Sequence, residues 1–265
     1  MLKIFGLLCL NFRQENTGDI EIMKLSKEIT KWIKKQVQKA NKKGVVLGLS
    51  GGIDSSCVAV LSKKALGSNV LGLIIPCNSN STDEELALKV ARKFGIETKE
   101  IPLSNIFNGL VSIYPEGSDI AKANLKPRLR MAVLYYFANS LDYLVAGTGN
   151  KSELCVGYFT KYGDGGVDIL PLGGLLKTEV RKLAKELEIP KEIIERPPSA
   201  GLWHNQTDEV DMGITYNELD KIINALERKQ IKGIEAKNLL KVKRMIKDSQ
   251  HKRVKVPIFS RRTYE

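Results

Sequence analysis

The sequence predicts an α/β fold, a doubly wound open parallel sheet with a helical C-terminal tail. Short apolar runs recur between residues 45 and 146, helical periodicity separates them, and past residue 210 only helical periodicity remains. Nearly all-apolar strands are buried on both faces, and strands alternating with helices pair in parallel through right-handed crossovers. Ligands on such sheets bind beyond the carboxyl ends of the strands.

Leu25, Ile29, Trp32, Ile33 and Val37 recur at helical spacing, so residues 24–42 read as an amphipathic helix ended by Gly44, with a Lys row on its other face. Val45, Val46, Leu47 and Leu49 mark the first strand. A Gly-rich turn leads into a helix over 55–66, followed by the strand Val70–Ile75 and the helix Thr82–Phe94, whose first turn holds Asp83, Glu84 and Glu85. Ile96–Ile101 is the third strand, 119–140 is mostly helical, and Tyr143–Ala146 is a short fourth strand. Thr178–Leu187, Tyr216–Leu226 and Ile234–Ile246 are the remaining helices.

With 265 residues, 43% of them apolar, the chain can bury a real core, which excludes collagen-like and disordered classes. Its net charge of +12 is localised: residues 24–43 carry +7, residues 221–265 carry +10, and the rest sums to −5. The body is no polycation, and Lys spaced along a helix is ordinarily its solvated face, so nucleic acid is disfavoured as a partner. Cys9, Cys57, Cys77 and Cys155 lack C-x-x-C spacing, so no zinc ribbon or disulfide framework is indicated, and a reducing, cytoplasmic setting fits. The run Ile4–Leu10 is short for a signal segment, and no stretch of about 18 apolar residues exists to span a membrane. Residues 1–22 read as an N-terminal extension without functional weight, and 23–265 as a single domain.

Directly after the first strand comes Ser50-Gly51-Gly52-Ile53-Asp54-Ser55-Ser56. Adjacent glycines let the backbone turn tightly, and successive N–H groups at a helix N-terminus cradle phosphate oxygens. The loop is neither a Walker A loop nor a dinucleotide fingerprint. It holds Asp54 instead, and a carboxylate beside polyphosphate needs a divalent cation between them. The alternative is a plain strand-to-helix turn capped by Asp54 or Ser55.

The full string resembles the pyrophosphate loop of the N-type ATP pyrophosphatases, which have an adenine nucleotide alpha hydrolase-like fold. Four further stretches, Asn124–Met131, Gly147–Glu153, Gly157–Asp168 and Pro198–Trp203, look like the ammonia-dependent NAD synthetases within that group, and the resemblance runs from about residue 24 to Pro257. It implies amidation of deamido-NAD with ammonia, driven by ATP through an adenylate and yielding NAD, AMP and pyrophosphate. By the same resemblance Gly48, Leu49, Ser50, Gly51, Gly52, Ile53, Asp54 and Ser55 bind the ATP phosphates, joined by Thr148, Lys177 and Ser199. Asp54 and Glu153 hold Mg2+, Asp54 and Lys177 are catalytic, and Arg128, Lys161, Asp168, His251 and Lys252 grip the dinucleotide. A homodimer is implied too. Cys77–Thr82 and the segment from Pro197 to about Gly213 are the candidate lids.

Without the resemblance, Glu153 reads as a first-turn helix acid, Thr148 as an N-cap, Lys177 as a solvated Lys and Arg130 as a helix-surface Arg. Tyr135, Tyr136 and Phe137 read as core, and His204 as a loop residue. The alternative function is a tRNA-modifying adenylating enzyme, which +12 would suit but which lacks a paired catalytic cysteine. A non-catalytic nucleotide sensor would not need two metal carboxylates.

Overall fold

The computed structural model describes residues 18–203 and 206–259, with side chains from residue 24 onward. Apart from the backbone of residues 18–22, the predicted extension lies outside the described residues, as does His204. In chain order the elements are α1 (Gly18–Lys39), β1 (Gly44–Gly48), α2 (Ile53–Leu66), β2 (Val70–Ile74), α3 (Ser81–Phe94), β3 (Glu97–Glu100), α4 (Ser104–Val111), α5 (Asp119–Leu141), β4 (Tyr143–Val145), α6 (Lys151–Val156), α7 (Lys177–Glu186), α8 (Lys191–Glu195), α9 (Asp208–Met212), α10 (Tyr216–Glu227) and α11 (Ala236–Asp248). All strand pairs are parallel, in the order β3-β2-β1-β4.

The sheet is covered on both faces. Val45 and Leu47 enter one core beneath α1, α2, α3 and α7, while Val46 enters the other beneath α4 and α5. This double burial is why β1 carries no polar residue. The polar third strand survives as the sheet edge, where charged side chains reach solvent and blunt further pairing. A third cluster, built on Tyr216, Leu219, Ile223 and Val242, joins α10 and α11 to α6. The helical tail is therefore packed against the elements that follow β4.

Ile29, Ile33 and Val37 of α1 are buried as its period requires, whereas Trp32 sits at the margin and stays exposed. Tyr136 is also exposed, at 70%, which corrects the expectation of a core residue; Tyr135 and Phe137 do pack against the second core. The chain steps from β1 to β2 to β3 in one direction, and β4 then falls on the other side of β1. Connections leaving β1 and β4 diverge there and open a crevice.

Candidate active site

The loop after β1 forms one wall of that crevice. Gly51 has φ +75°, and a Cβ there would lie 2.3 Å from the Asp83 carbonyl oxygen, so only glycine fits. Gly52 N-caps α2 without a side-chain hydrogen bond, leaving the helix's first turn to present its partial positive charge to the crevice. Ser55 Oγ donates to the Gly52 carbonyl and hydrogen-bonds Ser50 Oγ, both at 3.0 Å, which tightens the turn. Gly48, Leu49, Ser50, Gly52, Ile53, Asp54 and Ser55 line a cavity of about 680 Å³, within the range of nucleotide-sized sites.

A charged cluster forms the cavity floor. Lys177, the first residue of α7, is 2% exposed, and its Nζ donates to Asp54 Oδ2 and to Glu153 Oε1, the latter at 3.3 Å. Asn150 N-caps α6 and donates through Nδ2 to Asp54 Oδ1 at 3.0 Å, while its backbone N–H donates to Glu153 Oε2 at 3.2 Å. Glu153 is thus both a capping-box acid and a site carboxylate. The Tyr216 hydroxyl donates to Asp208 Oδ2 at 3.0 Å and lies 3.3 Å from Glu153 Oε1, with the Lys177 ammonium 5.0 Å from its ring centroid. Asp208 Oδ1 is buried and has no hydrogen-bond partner among the described residues.

Three carboxylates around one ammonium carry −2 when all are ionised, a charge that a buried site resists. Burial pushes Glu153 up to about 8 against the pull of Lys177, and burial likewise raises Asp208. Burial also works against the Lys177 charge, but Asp54 and Glu153 outweigh it and hold that ammonium above the usual lysine range. The solvated-lysine reading is therefore corrected: an ammonium is buried here because carboxylates surround it.

Thr148 and Ser199 line the same cavity, and Asn150 rather than Thr148 is the N-cap. Lys252 lines it as well, donating to the Gly157 and Phe159 carbonyls at 2.8 Å each. The other four expected dinucleotide contacts lie outside the cavity. Arg128 donates to the Lys161 carbonyl at 3.3 Å, and Lys161 Nζ to the His251 carbonyl at 2.8 Å. Asp168 accepts the Tyr135 hydroxyl at 3.0 Å and the Val145 N–H at 2.8 Å. Arg128 and Tyr135, two turns apart, share a side of α5 next to the one that Pro127, Arg130, Met131 and Leu134 present to the cavity. Arg130 is no surface ion pair: it lines the cavity and donates to the Ile75 carbonyl and Ser79 Oγ, both at 3.1 Å.

The segment Pro197–Trp203 lines the cavity beside Asp83, whose Oδ2 lies 3.8 Å from where a Gly201 Cβ would sit. Lys126 Nζ donates to the Leu202 carbonyl at 2.8 Å, and Arg196 pairs with Asp83 at 2.6 Å. Farther on, α9 is anchored by buried Met212, so the residues approaching Gly213 belong to the scaffold. Asn150, Arg130, Asp208 and Tyr216 are the site residues to which sequence reading gave no role there. The Asn-x-x-Glu capping box could have flagged the first, whereas Tyr216 and Asp208 reach the site only through the packing of the tail.

The sequence profile of one family, NAD synthase, matches residues 25–257. The chain belongs to that family. Its members are ligases that use ATP, and this NAD synthase-family chain is such an enzyme. It is 46% identical over 244 residues to the NH3-dependent NAD+ synthetase of Finegoldia magna, covering 91% of this chain and 98% of the relative. The NMN synthetase of Francisella tularensis superposes with a TM-score of 0.84 at 36% identity, over 91% of this chain and 98% of that one. The NH3-dependent NAD synthetase of Campylobacter jejuni superposes at 0.80 and 30% identity, over 90% and 99% of the two chains. Among the described residues no helix is long and apolar enough to cross a membrane.

Proposed function

We propose that this enzyme amidates deamido-NAD with ammonia, converting ATP to AMP and pyrophosphate. The observation that carries the reading is the meeting of the glycine loop, buried Lys177 and the Asp54 and Glu153 carboxylates in one nucleotide-sized cavity. The donor set fits Mg2+: Asp54 and Glu153 offer hard oxygens, and a divalent charge would offset the mutual repulsion that, with burial, holds the proton on Glu153. Bound there, Mg2+ would neutralise charge on the phosphate oxygens.

A nicotinate carboxylate is a poor electrophile, because its leaving group would be oxide. Its oxygen attacks the α-phosphorus of ATP, the bond to the β-phosphate bridging oxygen breaks, and pyrophosphate departs. The α2 amides, Ser50, Ser55 and Lys177 hold the departing phosphates in line, with Thr148 and Ser199 on the rest of the nucleotide. Ammonia then attacks the acyl carbon and AMP leaves with the C–O electron pair. The nitrogen must shed a proton, and we assign its capture to the unpartnered Asp208 Oδ1. Pro197–Trp203 keeps water from the hydrolysable adenylate. Arg128, Lys161, Asp168, His251 and Lys252 hold the dinucleotide phosphates and riboses, whose length takes the substrate out along α5. The reading includes a cytoplasmic homodimer sharing the exposed side of α5, and a single domain from residue 23 that does not need the preceding extension.

The likeness to an NMN synthetase favours a second acceptor, nicotinate mononucleotide, which presents the same carboxylate. Ammonia-dependent AMP release should be at least tenfold faster with deamido-NAD than with the mononucleotide, and absent with bulk tRNA. Equal or faster turnover of the mononucleotide removes the dinucleotide assignment. Lys252→Ala should raise the KM for deamido-NAD about tenfold, the worth of a charge-assisted hydrogen bond, without moving the KM for ATP. Lys241, which donates to the Gly213 carbonyl from α11, is the control: its Ala variant should change neither constant.

Glu153 also predicts a pH signature. The folded state keeps its proton up to about pH 8, whereas an ordinary glutamate loses it near 4.5. Its contribution to stability is therefore full below about 4.5 and is lost as pH rises through about 8. Glu153→Gln should flatten the decline of Tm with pH in metal-free buffer while turnover collapses. A variant whose Tm tracks that of the parent across this window contradicts the assignment.

A further inference from the structure

We infer that Asp220, which does not line the cavity, is a positioning residue for the reaction, acting through Ser152 on Glu153 and Lys177. The inference rests on the functional reading of those two residues given above. Asp220 projects from α10 and is 3% exposed, and Ser152 is fully buried. Asp220 Oδ1 accepts the Ser152 hydroxyl, and Oδ2 accepts the Thr178 N–H at 2.9 Å. Ser152 Oγ in turn accepts the Lys177 N–H at 2.9 Å.

These bonds determine where two short helices begin. The N-cap of α7 is Leu176, which has no polar side chain for the first turn. Its first N–H groups find acceptors on Ser152 and Asp220, 25 and 42 residues away in sequence. An anion at a helix N-terminus is favourable, and here the helix it steadies opens with Lys177. Ser152 is also the residue before Glu153, so the same carboxylate fixes the first turn of α6. One turn earlier on α10, Tyr216 touches Glu153 and Asp208. A single face of the tail helix therefore backs the whole cluster. Burying a carboxylate is costly, and an apolar side chain could fill the same space. The bonds of Asp220 tie the first turns of α6 and α7 to each other and to α10. Displacing a catalytic group by about 1 Å costs roughly 100-fold in rate, so the placement these bonds fix controls turnover.

Asp220→Ala, Ser152→Ala and the double variant test this, through kcat and KM for AMP release and through Tm. Each single variant should lose at least tenfold in kcat at a temperature where it is fully folded, with the KM for ATP within threefold of the parent. The double variant should be no slower than the slower single, because both lie on one chain of bonds. Asp220→Asn should be intermediate, since its single oxygen can accept from either Ser152 or Thr178 but not both. Should Asp220→Ala not fold, Ser152→Ala, which loses only a hydroxyl, decides by the same criterion. A lowered Tm with unchanged kcat overturns the proposal, as do multiplying losses in the double variant. Asp54→Asn run alongside separates the two readings. If it stays active, the functional reading fails; if it is inactive while Ser152→Ala and Asp220→Ala turn over normally, only the positioning role fails.

Discussion

Asp54→Asn is expected to lower turnover more than tenfold, a loss above ~1.4 kcal/mol of transition-state stabilisation, with little change in Tm. Asn keeps the shape of the side chain and can still accept the Asn150 Nδ2 bond. It cannot neutralise Lys177 or serve as an anionic ligand for a cation beside polyphosphate. Stability should survive because the substitution removes one of three acidic groups around a single ammonium and so relieves the repulsion between them. Stopped assays of AMP release and a thermal melt check both halves. Retention of more than a tenth of the parent rate removes Asp54 from the chemistry, and a collapsed melt makes it a structural residue.

The parts of this enzyme legible in its sequence are those whose physics is local. β1 was readable because a strand buried on both faces must be apolar, and the phosphate loop because its residues are contiguous and Gly51 has no substitute. Helices α4, α8 and α9 show no period because five to eight residues are too few for one, and α6 shows only its first-turn acid Glu153, which leaves its N-cap two residues out of place. Lys177 looked like a solvated lysine because the partners that bury it stand 123 and 24 residues away. Tyr216 and Asp220 gave no chemical signal: as members of an amphipathic helix they show a period, and only the tertiary packing reveals that this face meets the site. Tyr136 failed the opposite way, an aromatic that the period of α5 turns outward.

The largest combined effect should come from Lys177→Met, which keeps a long side chain and deletes the charge. Removing a group that stabilises charge only as it develops costs about 100- to 1000-fold in kcat, and the ammonium beside the departing pyrophosphate is such a group. The fold should suffer too, since breaking a buried ion pair leaves uncompensated charge worth roughly 3–5 kcal/mol. That loss should depend on pH in a definite sense. With Lys177 gone, its pull on Glu153 and Asp208 vanishes, so both carboxyls hold their protons to higher pH than in the parent. The folded state then binds more protons than the unfolded state over a wider range, and stability falls more steeply as pH rises through neutrality. Denaturant melts at pH 5 and pH 8 should show a small deficit at the lower value and a large one at the higher. Adding Glu153→Gln to Lys177→Met should recover stability at pH 8 by removing one of the stranded carboxylates, yet recover no turnover. If Lys177→Met is as stable as the parent at pH 8 and still releases AMP, the lysine is the solvated side chain that its local sequence suggests, and the charged floor of the cavity has no part in the reaction.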